Sequence, residues 1–430
     1  MSRLTRVFVI LTSVWFIASA AFVARLGFLW YQQHVIPHQV LAQVPFDQEA
    51  GSIALALSQG HGFSNLFRQN TGATAWLPPV YPFLLSLIFR VFGAFTFASF
   101  VAAVLLNCLL SSAVTFPLYD LAGRVSSRGV AVASAWIWVL LPAGVLMPTE
   151  WIWDTSLSVL LATALVWATI RLAESKQVRS WLAYGLLWAL ALLTNPTLGI
   201  VLPFLFVWAV LHVRKGSAFS WRAPTLCFVL ILICCIPWTA RNFSHFHRLI
   251  PVRSNFAFEL WIENNDIFDP QAIGGRQRIT RFEETRHYAQ LGETAYLAEK
   301  WTLASDFIRQ KPVLFLQLSG QRVVATWTGT RHPLDDLRGT SSQLARVVIG
   351  VNLLLAIGTV AGVFVVGNAR SPFFMPIAAV PLLYPIVYYI THTSLRYRHP
   401  IDPLLILLTI LALASLAKAG GKTSRGSSPG

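Results

Sequence analysis

Four sets of ionisable residues stand where long apolar runs end, and charges next to a bilayer are costly unless they pair or function. The first is Asp47, inside the stretch 45–82, which follows the first apolar run. A carboxylate near a polar substrate and partly shielded from water can act as a general base. It can equally be a solvated loop acid or cap a helix starting at Gln48, with Glu49 as a helper or a first-turn charge. Glu150 and Asp154 form the second set; four apart, they could share one helix face. Together with Asp47 they could hold a divalent ion or orient an acceptor, or they could simply anchor helix ends. The third set is Arg241-Asn242, followed by Arg253, Glu259 and Glu263-Asn264-Asn265. An arginine just past a span also serves as a headgroup anchor. The fourth is Leu395-Arg396-Tyr397-Arg398-His399-Pro400, whose guanidinium forks suit a phosphate, either of a ligand or of a phospholipid. Around one cavity, such acids could activate a nucleophile while the arginines stabilise a phosphate leaving group.

The elements that must position these groups are membrane helices. The chain has 430 residues, of which 55% are hydrophobic and 12% charged, with a mean hydropathy of +0.59. A soluble domain carries about 25% charged residues, so a polytopic membrane protein is expected. The net charge of +15 then reflects positively charged cytoplasmic loops. Nucleic acid is not an expected partner, because no basic run is interleaved with aromatics in a soluble segment. Cys108, Cys227, Cys234 and Cys235 lie in apolar segments and show neither metal spacing nor a disulfide framework.

Charge-poor runs at 7–30, 95–118, 129–148, 154–171, 180–194, 197–213, 223–240, 346–368, 371–391 and 400–417 predict about ten transmembrane helices. The first resembles a signal peptide, with Arg3, Arg6 and a small-residue site at Ala18-Ser19-Ala20, but it runs on to Ala24 and reads as an uncleaved anchor. Threaded from a cytoplasmic N-terminus, the inner loops carry Arg124 and Arg128; Arg171, Lys176 and Arg179; and Arg214, Lys215 and Arg222. The outer turns at 148–153 and 194–196 carry no Lys or Arg. The run Tyr81 to Phe92 is too short to span and reads as interfacial or re-entrant. Residues 180–213 are read as two short passes broken at Asn195-Pro196.

The expected organisation is an N-terminal transmembrane module (1–240) with a catalytic first outer loop (31–94), and an outer-face cap of amphipathic helices (241–343). Transmembrane helices at 344–417 and a cytoplasmic tail at 418–430 complete it.

The order of these features resembles the GT-C superfamily of membrane glycosyltransferases. Within it, the chain is similar to the branch holding protein O-mannosyltransferases, the lipid A aminoarabinose transferase and the Rgt-type bacterial sugar transferases. The resemblance runs along nearly the whole chain. It is carried by Asp47, Gly60 to Phe63, Pro78-Pro79-Val80-Tyr81-Pro82, Glu150, Leu193-Thr194-Asn195-Pro196, Pro237-Trp238 with Arg241-Asn242, Asn264-Asn265, and Arg396-Tyr397-Arg398. It departs from the family pattern at Gly51, where members often have Tyr, and at Asn195, where they often have Arg.

The resemblance implies transfer of a sugar from a polyprenyl-phosphate-linked donor, with inversion, to a glycan, lipid or protein acceptor at the outer face of a bacterial cytoplasmic membrane. It implies Asp47 as base and Glu150 as second acid. Arg396 and Arg398 would grip the donor phosphate, and Arg241, Asn242, Asn264, Asn265, Tyr81 and His61 would contact substrate. A divalent metal on Asp47, Glu150 and Asp154 stays open. So do two other classes, a multi-pass transporter and a non-catalytic polyprenyl-lipid-binding subunit. A transporter would show midplane charges and paired broken helices.

Overall fold

Inside a bilayer a backbone N–H or C=O has no water to bond, so a crossing segment satisfies its own groups as a helix. The chain follows that rule in a computed structural model, which describes residues 9–35, 49–67, 70–175, 177–214, 220–268, 281–340, 342–368 and 371–423. Among these there is no strand, and extended pairing is limited to one bridge between Ser64 and Ala73. The protein is a helical, multi-pass membrane protein.

Each of the ten apolar runs coincides with helix. Seven segments are long and apolar enough to cross alone: Val14–Gln32, Phe97–Val125, Thr155–Ala173, Pro196–Arg214, Arg222–Phe246, Gln343–Gly367 and Leu395–Lys418. An eighth is a pair, Arg128–Leu140 and Pro142–Glu150, bent by 45°. The bend has a cause in the sequence. Leu141 sits at φ −61°, ψ 121°, the extended region into which the ring of a following proline drives its neighbour. The last two runs, Val178–Thr194 and Phe374–Ile390, are shorter apolar helices. The short run after Tyr81 is the 13-residue helix Val80–Phe92.

One end of the bundle gathers the basic loops. Arg124 donates from Nε to Asp120 and from Nη1 to Glu174, both at 2.6 Å, and Trp167 Nε1 donates to the same Asp120 oxygen at 2.7 Å. Deeper in, helices Gln343–Asn368 and Asp402–Thr423 pack closely through Gly358 and Gly362. A Cβ at Gly362 would lie 2.2 Å from the carbonyl oxygen of Leu408, and one at Gly358 2.4 Å from Thr409 Cγ2. The small-xxx-small spacing of this pair is the pattern that lets membrane helices approach backbone to backbone.

At the other end, the segment after helix Arg222–Phe246 forms the helices Phe256–Trp261, Arg281–Leu291, Glu293–Gln310, Pro312–Thr328 and Pro333–Gly339. Two buried polar groups fasten it. Arg322, 0% exposed, donates to Glu263 Oε2 at 3.0 Å, Asn264 Oδ1 at 2.7 Å and the carbonyls of Tyr389 and Ile390. Glu293 accepts from Thr74, Ala75, Ser254 and Tyr288.

Candidate active site

Helix ends from across the chain converge on one cavity of about 170 Å³. Glu49 opens the helix Glu49–Ser58, Asp154 stands immediately before Thr155–Ala173, and Thr194 closes Val178–Thr194. Arg253, Asn255 and Glu259 come from the segment after helix Arg222–Phe246, and Tyr388, His392, Arg396 and Tyr397 from the turn before the last span. The wall between them is the rigid run Trp76-Leu77-Pro78 with Tyr81 and Pro82. Tyr81 is 2% exposed and donates to Asn107 Oδ1 at 3.1 Å, while Asn107 Nδ2 reaches the Trp151 carbonyl at 3.1 Å. This pair fixes the Trp151 to Asp154 turn against the wall.

Arg396 is the central cation. Its guanidinium lies 4.7 Å from the ring of Trp153, 5.1 Å from Trp151 and 5.0 Å from Tyr397. Aromatic faces attract a cation most strongly when water is excluded. Among the described residues its hydrogen bond goes to the Tyr397 hydroxyl, from Nη2 at 3.1 Å, one of the five N–H donors an arginine carries. Arg253 and Glu259 pair with each other at 3.4 Å. Asp154 accepts from Ser158 Oγ at 2.9 Å. Burial pushes its carboxyl above the usual carboxylate range, against the opposing pull of the Ser158 hydrogen bond and the charges of Arg396 and Arg253. Asn255 is 1% exposed; its amide nitrogen donates to Glu259 at 2.7 Å, and its Oδ1 has no partner among the described residues. A buried acceptor left open in a cavity wall is suited to a ligand hydroxyl.

The residues singled out in the sequence divide into groups. Arg396 and Tyr81 line this cavity, together with Asp154. Glu150 is exposed and ends its helix outside the lining. Arg398 is 0% exposed and points elsewhere: it donates to Asp402 at 2.9 Å, Asn352 at 2.8 Å and the Trp327 carbonyl at 2.8 Å. Asn264 and Asn265 bond backbone carbonyls at 2.6 Å, of Leu260 and Trp261. Arg241 ties the loop together by donating to the carbonyls of Thr74 at 2.7 Å and Phe63 at 2.5 Å, and Asn242 holds Ile250 O at 3.0 Å. Asp47 lies outside the described residues, two positions ahead of the cavity residue Glu49. No group of three or more His, Cys, Asp or Glu side chains suited to a metal gathers among the described residues.

His61 and Arg241 line a second, larger cavity of about 1200 Å³, with Phe63, Phe83, Leu84, Trp238 and His245. The Gly60-His61-Gly62 turn bordering it needs its glycines, since both adopt positive φ, 83° and 72°. His392 belongs to none of the motifs in the sequence; its signal there is a polar break, Thr391 to Ser394, between two apolar runs.

Residues 77–240 match the family model described as dolichyl-phosphate-mannose-protein mannosyltransferase. The apo crystal structure of the oligosaccharyltransferase of Archaeoglobus fulgidus aligns with 97% of this chain and 53% of its own, at 13% identity and a TM-score of 0.52. The fold is that of the GT-C membrane glycosyltransferases. The chain spans about half the length of that GT-C protein. The same oligosaccharyltransferase, in complex with an inhibitory peptide and a dolichol-phosphate, aligns with 96% of this chain and 52% of its own, at 12% identity and a TM-score of 0.51. ArnT from Cupriavidus metallidurans bound to undecaprenyl phosphate aligns with 95% of this chain and 80% of its own at 14% identity and a TM-score of 0.41. No curated protein matches the chain. Within the GT-C fold, the family match takes in Tyr81, Asp154 and Thr194 of the cavity and stops one residue before Arg241.

Proposed function

We propose that the chain is an integral-membrane glycosyltransferase that moves a sugar from a polyprenyl-phosphate-linked donor to an acceptor at the outer face of a bacterial cytoplasmic membrane. The observation that carries this reading is Arg396, a guanidinium held among aromatic rings in a cavity that also receives Asp154. The partial family match and the GT-C fold support it. The cavity lies at the end of the bundle away from the basic loops, which the positive-inside rule assigns to the non-cytoplasmic face. Nucleotide sugars are absent there, so a lipid-linked donor supplies the activated sugar.

In this reading Arg396 binds the donor phosphate through its remaining N–H groups, a fork geometry that favours phosphate oxygens. Trp76, Trp153 and Tyr388 offer apolar faces to the sugar ring, and Asn255 Oδ1 accepts from a sugar hydroxyl. Asp47 takes the proton of the acceptor hydroxyl or amine. The acceptor atom bonds to the anomeric carbon on the side opposite the phosphate, and the bond to the phosphate oxygen breaks with its electron pair leaving on that oxygen. The anomeric carbon passes through an oxocarbenium-like transition state and inverts. As charge grows on the departing phosphate, Arg396 stabilises it without having to reorganise. Asp154, in the cavity where Glu150 is not, serves as the second acid.

The test is transfer of label from a polyprenyl-phosphate sugar in membranes, comparing the native chain with Asp47→Asn. Loss of a general base costs at least about a hundredfold in rate, with expression retained. Equal transfer by both proteins across a panel of donor sugars would remove Asp47 from the chemistry.

A further inference from the structure

Three side chains and the Glu259 carbonyl, from two distant segments, form one continuous hydrogen-bonded line that ends on Arg396, with the Glu259 carboxylate alongside it. Nδ1 of His392 lies 3.2 Å from Glu259 Oε2 and 3.4 Å from the Glu259 carbonyl. Both are acceptors, so Nδ1 carries the hydrogen. In the neutral imidazole this leaves Nε2 as an acceptor, and it stands 2.9 Å from the Tyr397 hydroxyl. The phenol therefore donates to His392, and its oxygen is free to accept from Arg396 Nη2 at 3.1 Å. Each donor in the line finds an acceptor. Such chains polarise their members and resist reorientation.

Both ends are anchored. Glu259 also takes Asn255 Nδ2 at 2.7 Å and Arg253 Nη2 at 3.4 Å. The Tyr397 ring stacks on Tyr388 at 4.8 Å with an interplanar angle of 2°, and meets the His392 ring edge-on at 5.1 Å. The indoles of Trp151 and Trp153 locate Arg396 by attraction to its flat faces, but such faces leave it free to slide and turn in its own plane. The Tyr397 oxygen removes that freedom.

We propose that Glu259, His392 and Tyr397 are positioning residues that fix the in-plane orientation of Arg396, so that its open N–H groups meet the phosphate of a polyprenyl-phosphate ligand. This rests on the proposed function, which makes Arg396 the phosphate-binding group. The line does not touch the reacting atoms. Its contribution is a guanidinium already aimed before the lipid arrives, which lowers the ordering cost of binding.

The experiment is binding of undecaprenyl phosphate to the purified full chain in detergent, followed by tryptophan fluorescence, with thermal melting recorded for every variant. Arg396→Ala should weaken binding about a hundredfold, as expected for hydrogen bonds to a charged group, and His392→Ala or Tyr397→Phe about tenfold each. The decisive measurement is the double variant. If His392 acts through Arg396, His392→Ala should cost less than about twofold once Arg396 is alanine. His392→Gln, which keeps one donor and one acceptor, should recover most of the loss and also covers a failure of the alanine variant to fold. An equal loss in both backgrounds, or no loss in either, overturns the positioning line while leaving Arg396 as the phosphate group. Undiminished binding by Arg396→Ala, or no binding by the native chain, overturns both the line and the reading on which it rests.

Discussion

Thr74 and Glu293 meet across 219 residues of chain, with Thr74 Oγ1 donating to Glu293 Oε2 at 2.5 Å. Ala75 N–H and Ser254 O–H donate to the other carboxylate oxygen at 2.9 and 2.7 Å, and Tyr288 O–H to the first at 2.8 Å. Glu293 is 4% exposed, so these four donors replace its water. The carboxylate thereby holds the strand of chain that leads directly into Trp76 and Leu77, the cavity wall. Arg241 grips the same stretch from the other side through the Thr74 and Phe63 carbonyls.

Glu293→Gln should therefore loosen the wall as well as the segment that follows helix Arg222–Phe246. The amide turns an NH2 towards buried donors, and each orphaned group costs about 1–3 kcal/mol. Thermal melting in detergent is expected to fall by several degrees for a change of this order. Sugar transfer should fall with it, because the wall carries Tyr81. An unaltered melting point would show that the segment after helix Arg222–Phe246 does not depend on this junction.

Asp154 gives the site a pH signature. Burial raises its carboxyl above the ordinary range, opposed by Ser158, Arg396 and Arg253. The folded chain then binds more protons than the unfolded one between the ordinary carboxylate value and the raised one. That contribution to stability is present below the unfolded value and is lost as pH rises through the folded value. Transfer should run the opposite way, since a second acid that works ionised is switched off as pH falls through its raised value. Asp154→Asn should flatten the stability profile over that window and remove the corresponding acid limb from the rate profile. The check is transfer and melting, each measured against pH for both proteins; an unchanged acid limb in the variant would assign it to another group.

Much of the scaffold could be read from the sequence because membrane insertion responds to local composition. The charge-poor runs announce helix, though only seven segments, or eight with the bent pair, are long and apolar enough to cross alone, and the bend at Pro142 follows from a proline in the third run. The site was only partly legible, for geometric reasons. Glu150 and Asp154 are four apart, which would align them on one helix. But the helix ends at Glu150 and the next begins at Thr155, so helical spacing does not apply between them. Arg396 and Arg398 look equivalent in sequence, yet residues two apart on a helix do not share a face. One enters the cavity and the other the interior. His392 depends on Glu259, 133 residues away, a relation that no local pattern encodes.

That division between the two arginines is itself testable. Arg398 forms a buried group with Asp402, His399 and Asn352, in which Arg398 and Asp402 are both 0% exposed. Removing one partner of such a pair leaves an uncompensated charge and costs about 3–5 kcal/mol. Arg398→Ala should therefore lower yield and melting temperature, with the KM for the lipid donor unchanged in the protein that survives. Arg396→Lys should do the reverse: it keeps a charge but loses the planar fork, so stability holds while the donor KM rises. Steady-state transfer kinetics alongside melting curves separate the two, and a shared phenotype would mean that both serve the same group.

The packing of the last two long helices supplies the final prediction. Gly362 faces the Leu408 carbonyl so closely that an added Cβ would stand 2.2 Å from the oxygen, and that atom belongs to rigid backbone. Four residues earlier, an added Cβ at Gly358 would stand 2.4 Å from Thr409 Cγ2 and 2.8 Å from Thr409 Cβ, an atom that no rotamer moves. Both positions should therefore resist the same substitution. Gly358→Ala and Gly362→Ala should each force the helices apart and cost about 1–3 kcal/mol, the usual range for overpacking. The shift would be felt at the cavity, because the Asp402 helix begins just after Arg396 and is tied to Asn352 through Arg398. Each variant should lower both melting temperature and transfer; an unchanged melting temperature in either would mean that the helices yield at that contact without loss.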